Sequence, residues 1–576
     1  MTIQIELDHV TFHYPGDDHP VLNDISLTIN KGDFVAIIGS NGSGKSTLCK
    51  LLNGLIPHYY VGDFSGKVVV NGLVTTEHKV ADLSQHVGYV YQDFENQLVS
   101  PRVLEDASFA PLNFGYTDYL ERGKRALDLV GLHDRDNEFV WQLSGGQQHQ
   151  LALAGALSLD PEILIIDEPI AQLDPAHAEE IYEILKKLNE DFGKTIIVIE
   201  HHTEFIANYC KQVVLMNKGQ IVWKRPTSEA LTAVEELMMS QIYPPQVTQA
   251  AYKLGSFDKK YLPITLKDAK ESFQLSNNTR TENKYEENDI TPHINEKIVE
   301  INNVTFSYKM INRTQKQILK GTSLDVHQGD LIALVGNNGA GKSTLMRLLT
   351  GLVKPEQGNV LIKGMNTRNF SPEKLADTVT YIYQNPEEMF IEDCVRKDVE
   401  FFLKARKIPE YKEKVDTILK QFELTELQDR DSRLMSGGQQ RRASLAIGVA
   451  MNPSIILLDE PTANLDIATR KHITKLITSL REQVSAVIIA THDMQLVSEW
   501  ANRIIVLHEG QVIHDGNRES VFSNVPLLKK AGLKPPQILE LSRTLNMSPL
   551  AYTVDDFVQG IRKREEQTSG VYAKTF

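Results

Sequence analysis

Two loops of the pattern Gly-x-x-x-x-Gly-Lys-Ser occur in the chain. One is Gly39-Ser40-Asn41-Gly42-Ser43-Gly44-Lys45-Ser46, followed by Thr47; the other is Gly336-Asn337-Asn338-Gly339-Ala340-Gly341-Lys342-Ser343, followed by Thr344. Glycines at these places let backbone N–H groups wrap a phosphate. The start of a helix adds partial positive charge, and the lysine reaches the terminal phosphates. Ser46 and Ser343 are the expected hydroxyl ligands of Mg²⁺. Further along, each loop has an apolar run ending in an acidic pair, Asp167-Glu168 and Asp459-Glu460. The aspartate can bind Mg²⁺ directly or through water, and the glutamate beside it can polarise a water as a general base. The expected chemistry is transfer of a nucleotide phosphoryl group to water, at two places in one chain.

The elements that must position these groups are duplicated with them. Ser144-Gly145-Gly146-Gln147 recurs as Ser436-Gly437-Gly438-Gln439, and Tyr14, Gln92 and His201 are matched by Tyr308, Gln384 and His492. Val35 to Ile38 and Ile163 to Ile166 are apolar runs of strand length, and Ala178 to Leu188 has a helical pattern. The layout is α/β with buried parallel strands, whose C-terminal ends are where ligands sit. The match continues past the last motif, since Pro244-Pro245-Gln246-Val247 pairs with Pro535-Pro536-Gln537-Ile538. Two domains are therefore predicted, 1–273 and 298–563, each with its own C-terminal extension. A polar linker, 274–297, joins them and a tail, 564–576, follows. A flexible coil of about 24 residues spans roughly 25 to 30 Å, enough for the domains to face each other.

Composition excludes several classes of function. The 576 residues are 41% hydrophobic, enough for a substantial core in each domain. A net charge of −14 argues against a broad nucleic-acid surface. Cys49, Cys210 and Cys394 have no metal or disulfide spacing, which points to packing roles in a reducing compartment. With no secretory leader and no apolar run of bilayer length, the chain reads as neither exported nor membrane-spanning.

With these motifs in place, the chain resembles the nucleotide-binding subunits of ABC transporters, two tandem P-loop NTPase domains of the ABC ATPase type fused in one chain. The resemblance rests on Leu143-Ser-Gly-Gly-Gln147 and Met435-Ser-Gly-Gly-Gln439 beside the phosphate loops and acidic pairs. It implies a helical subdomain and a C-terminal helical extension in each domain, and Mg²⁺ with ATP. It also implies composite sites. One would pair Lys45, Ser46, Gln92, Asp167, Glu168 and His201 with Ser436 to Gln439; the other would pair Lys342, Ser343, Gln384, Asp459, Glu460 and His492 with Ser144 to Gln147. Met435 is a conservative departure. Tyr14 and Tyr308 resemble the aromatic that stacks on adenine, Gln92 and Gln384 the Mg²⁺-sensing glutamine loop, and His201 and His492 the switch histidine. His149 and His202 have no such counterpart and are expected at the surface. Gln172 departs from the small residue of the interface loop, where Asn464 stands in the second repeat, so coupling between the sites is expected to be asymmetric.

The segments Tyr-Gln-Asp-Phe-Glu-Asn-Gln and Tyr-Gln-Asn-Pro-Glu-Glu-Met and the Pro-Pro-Gln extensions resemble the ATPases of energy-coupling factor importers. Met389 in place of Gln97 is a departure within that pattern. The implied function is to drive uptake of a vitamin, vitamin precursor or transition-metal ion from the cytoplasmic face of the cell membrane. The implied partners are an integral-membrane subunit and a small substrate-binding membrane subunit, with no nucleic acid. The alternatives are a conventional fused importer or exporter ATPase and a soluble ABC-F translation factor. The latter usually carries a long charged helical insert, where this chain has a short polar linker.

Overall fold

The computed structural model describes residues 2–16, 19–170, 173–259, 261–276, 296–309, 315–463 and 465–572. The expected linker lies mostly outside them, as do Gln172 and Asn464. The chain divides into two compact units, one of residues 1–280 with 554–576 and the other of residues 281–553.

Each unit contains a four-stranded and a six-stranded sheet. In the first unit the larger sheet runs Gln220–Pro226, Gln212–Asn217, Phe34–Ile38, Thr195–Ile199, Ile163–Asp167, Val87–Val90. Its last five strands pair in parallel and only the Gln220–Pro226 edge is antiparallel. The second unit repeats the order with Val379–Ile382, Ile455–Asp459, Ala486–Thr491, Leu331–Val335, Arg503–His508 and Gln511–Gly516.

Phe34–Ile38 is buried throughout, as a parallel strand covered on both faces must be. Side chains alternate across a sheet, so Phe34, Ala36 and Ile38 enter one apolar core while Val35 and Ile37 enter another. This packing fixes where the strands end. Four adjacent strand ends then carry the phosphate loop, His201, the acidic pair and Gln92, in that order across the sheet.

The helical subdomain differs between the units. Val395–Ala405 is one helix, but its counterpart is split into Val103–Ala107 and Phe109–Asn113. Pro111 lacks an N–H and crowds the preceding turn, which accounts for the break. The extensions open on Pro245 and Pro536, whose φ of −49° and −54° suits the entry to the helices Gln246–Leu254 and Gln537–Thr544.

By compactness the helix Val554–Tyr572 groups with the first unit. Phe557 is fully buried with its ring 5.3 Å from that of Phe273, Lys253 pairs with Asp555 at 2.7 Å, and Arg562 donates to the Lys253 carbonyl at 2.9 Å. No helix among the described residues is long and apolar enough to cross a membrane.

Candidate functional site

The phosphate loop of the first unit leaves Phe34–Ile38 and enters the helix Lys45–Leu52 through Gly44, whose φ of +97° suits glycine. Lys45 turns back over the loop and donates to the carbonyls of Gly39 and Ser40 at 2.9 and 3.0 Å. Lys342 does the same toward Gly336 and Asn337 at 2.6 and 3.2 Å. Both ammonium groups are thus held against carbonyls of their own loops. A side chain at Gly39 would sit 2.4 Å from the Met216 carbonyl and 2.6 Å from Ser43 Oγ. At Gly336 the Leu507 carbonyl would be 2.1 Å away. Ser43 Oγ is buried without a hydrogen-bond partner among the described residues.

Hydroxyl and carboxylate oxygens meet beside each loop. Ser46 donates to Asp167, and Ser343 and Tyr381 donate to Asp459, the tyrosine at 2.6 Å. Burial pushes both aspartate carboxyls above their ordinary value, and the hydroxyls pull the other way. Among the described residues no group of three or more His, Cys, Asp or Glu forms a metal cage. The residues present nonetheless fit Mg²⁺, which is typically held by one or two carboxylates, a hydroxyl and phosphate oxygens.

The glutamates after these aspartates have left-handed backbones, with φ of +52° at Glu168 and +43° at Glu460. Each is pinned by its own N–H, to the Ile199 carbonyl at 3.0 Å and the Ala490 carbonyl at 2.8 Å. The carboxylates are thereby turned to the neighbouring strand end. Glu168 accepts from Gln92 Nε2 at 2.8 Å and pairs with His201 Nε2 at 3.1 Å. Glu460 pairs with His492 Nδ1 at 2.8 Å and accepts from the Thr491 hydroxyl at 2.9 Å. Burial pushes the Glu460 carboxyl up, but the charge and hydrogen bond of His492, with Lys342 and Thr491, outweigh it and hold it below the usual range. For His492, burial lowers and Glu460 more than restores, so the imidazole lies above its ordinary value. In the second pair each group thus favours the charged form of the other.

The structure thus brings together Lys45, Ser46, Gln92, Asp167, Glu168 and His201 in one unit, and Lys342, Ser343, Asp459, Glu460 and His492 in the other. Gln384 is in the matching loop, where its carbonyl accepts from Arg441. Tyr14 and Tyr308 stand edge-on to Phe12 and Phe306, both at 4.9 Å, and the Tyr14 hydroxyl lies 3.4 Å from Thr47 Oγ1. The signature residues stand apart, at the start of the helices Gly145–Leu157 and Gly437–Ala450. Ser144 and Ser436 close capping boxes with Gln147 and Gln439, while Ser144, Gly145, Ser436 and Gly437 are exposed. Gly146 and Gly438 face His177 and Thr469, whose carbons would lie 2.6 Å from an added Cβ. An exposed helix start with small residues presents N–H donors to an anion.

One expectation is corrected and several contributors were missed. His149 is buried, not at the surface, because it lies on the inward side of the signature helix with its ring stacked 4.7 Å from Phe94. His202 is half-exposed and bonded to Glu200 at 3.0 Å. Glu200 itself is buried, accepting also from the Tyr182 hydroxyl at 2.7 Å and from the backbone of His201 at 2.7 Å. Thr491, at the corresponding place, instead supports Glu460. Adjacency to the two histidines was the only signal in the sequence for either residue.

Residues 22–171 and 319–463 match the family model of the ABC transporter. A provisionally named ABC transporter ATP-binding protein of Methanosarcina acetivorans is 33% identical over 97% of this chain and 94% of its own. One of Caldanaerobacter subterraneus is 33% identical over 95% of this chain and 97% of its own. Among solved structures, cbiO1 from Clostridium perfringens, part of the ABC transporter complex cbiONQ, is 30% identical with a TM-score of 0.36, over 42% of this chain and 97% of that one. The chain belongs to the ABC transporter family. It is a fused two-domain ATP-binding protein of that family, an ATPase with a repeat of the ABC domain.

Proposed function

We propose that this chain is the ATP-hydrolysing subunit of an energy-coupling importer for a vitamin, vitamin precursor or transition-metal ion. It works as a peripheral protein on the cytoplasmic face of the cell membrane, with an integral-membrane subunit and a small substrate-binding membrane subunit as partners. The observation that carries the reading is that both repeats keep a Tyr-Gln loop at the mouth of the acidic site and a helical extension opened by Pro-Pro-Gln.

In this reading Lys45 and Lys342 exchange their carbonyl partners for the terminal phosphates. Ser46 with Asp167, and Ser343 with Asp459, would hold Mg²⁺, with Gln92 and Gln384 beside it. The ion, when bound, neutralises charge developing on the phosphate oxygens. Glu168 and Glu460 take a proton from the attacking water. His201 and His492 fix those carboxylates and face the γ-phosphate, and Tyr14 and Tyr308 stack on adenine. Ser144 to Gln147 and Ser436 to Gln439 cap the γ-phosphate held by the opposite repeat, so the two domains pair within one chain. The tether supports that pairing by raising the local concentration of one domain near the other to roughly millimolar.

Affinity purification from mild-detergent extract tests the reading. A multi-spanning membrane protein together with a small hydrophobic one is expected, and the small protein's ligand identifies the substrate class. Ribosomes without membrane partners would contradict it.

A further inference from the structure

The two glutamine loops are anchored by different residues. In the second unit Arg441, on the signature helix Gly437–Ala450 and 2% exposed, donates through Nη1 to the Tyr383 carbonyl at 2.9 Å and through Nη2 to the Gln384 carbonyl at 2.6 Å. A buried guanidinium giving two parallel hydrogen bonds is a stiff connection, since each charge-assisted bond is stronger than a neutral one. In the first unit the same helical position is His149, which stacks on Phe94 and leaves Nδ1 buried without a hydrogen-bond partner among the described residues. There the loop is braced from within. Gln97 donates from Nε2 to the Tyr89 carbonyl at 3.1 Å and accepts at Oε1 from the Tyr91 N–H at 3.2 Å. At the position of Gln97 the second repeat has Met389, which has no donor and only a weak sulfur acceptor. Arginine on the helix thus goes with methionine in the loop, and histidine on the helix with glutamine in the loop.

We propose that Arg441 is a positioning residue that makes the second glutamine loop and its signature helix one mechanical body, whereas the first loop holds its own shape and can move independently of its signature helix. Two consequences follow. A displacement of the second loop is carried directly to Ser436 to Gln439, while one of the first loop is cushioned by a stacking contact that can slide. The backbone of Gln384, and with it the reach of its side chain, depends on a residue of the helix Gly437–Ala450. This rests on the assignment of Gln384 to the Mg²⁺ site only in its effect on hydrolysis; the mechanical statement stands on the geometry alone.

Amide hydrogen exchange of the nucleotide-free full-length chain tests it. Arg441→Gln is expected to speed exchange in the segment 381–390 about tenfold, as loss of a charge-assisted hydrogen bond would. His149→Gln is expected to leave 89–98 within about twofold of wild type, and Gln97→Met to loosen that same segment. In the same preparations Arg441→Gln is expected to raise the Mg²⁺ concentration for half-maximal ATP hydrolysis about tenfold, in line with loss of an outer-shell support. Arg441→Lys, which keeps a cationic donor, is expected to fall between, and serves if the glutamine variant does not fold. Unchanged exchange at 381–390 in the Arg441 variants, or equal loosening by His149→Gln at 89–98, would overturn the proposal. Loosened exchange with an unchanged Mg²⁺ concentration for half-maximal hydrolysis would overturn the metal assignment of Gln384 and leave the clamp.

Discussion

His149, whose ring stacks on Phe94 and whose buried Nδ1 has no hydrogen-bond partner among the described residues, carries a pH cost that can be measured. Burial lowers the His149 imidazole to about 4 from an ordinary value of 6.5. Between these values the unfolded chain binds a proton that the folded chain refuses, so stability falls as pH drops from 6.5 toward 4. Fully expressed, a shift of this size is worth on the order of 3 kcal/mol. His149→Gln is expected to lower the melting temperature less steeply than wild type on acidification from pH 6.5 to 4.5; equal slopes would show that His149 is not the group responsible. At this scale the sequence discloses the lysines, serines and acidic pairs because their spacing is the chemistry itself. It does not disclose His149 or Arg441. Their burial is decided by what the signature helix packs on, and no local pattern distinguishes an inward histidine from an outward one.

The phosphate loop shows how an element constrains its residues. Gly44 has φ +97°, and a Cβ there would lie 2.8 Å from both the Val21 carbonyl and Leu22 Cδ2. Neither a backbone carbonyl nor a leucine in the core can easily give way. Gly44→Ala is therefore expected to destabilise the protein by about 1–3 kcal/mol and to abolish the rise in melting temperature that ATP gives, as read by thermal unfolding with and without nucleotide. An undiminished rise would mean that the loop tolerates displacement of its amides. The buried strands and the helix after each loop were legible, since uninterrupted apolar runs next to glycine-rich turns admit few other readings. The split at Pro111 also follows from local rules, since a proline removes a helical hydrogen bond wherever it stands past the first turn.

For the whole molecule, duplication is the decisive fact, and it is visible in the sequence because each repeat keeps the same groups in the same order. The placement of Val554–Tyr572 with the first unit is not visible there. Phe273, against which Phe557 packs, lies hundreds of positions earlier in the chain. What the duplicated sites do together depends on the glutamates assigned as general bases. The most direct measurement is steady-state ATP hydrolysis by the purified chain and by Glu168→Gln, Glu460→Gln and the double variant, with folding checked by thermal unfolding. The expected result is a Mg²⁺-dependent wild-type rate that falls by about 10²–10⁴-fold in the double variant while ATP still raises its melting temperature. Turnover in the double variant comparable to wild type would contradict the assignment of both bases.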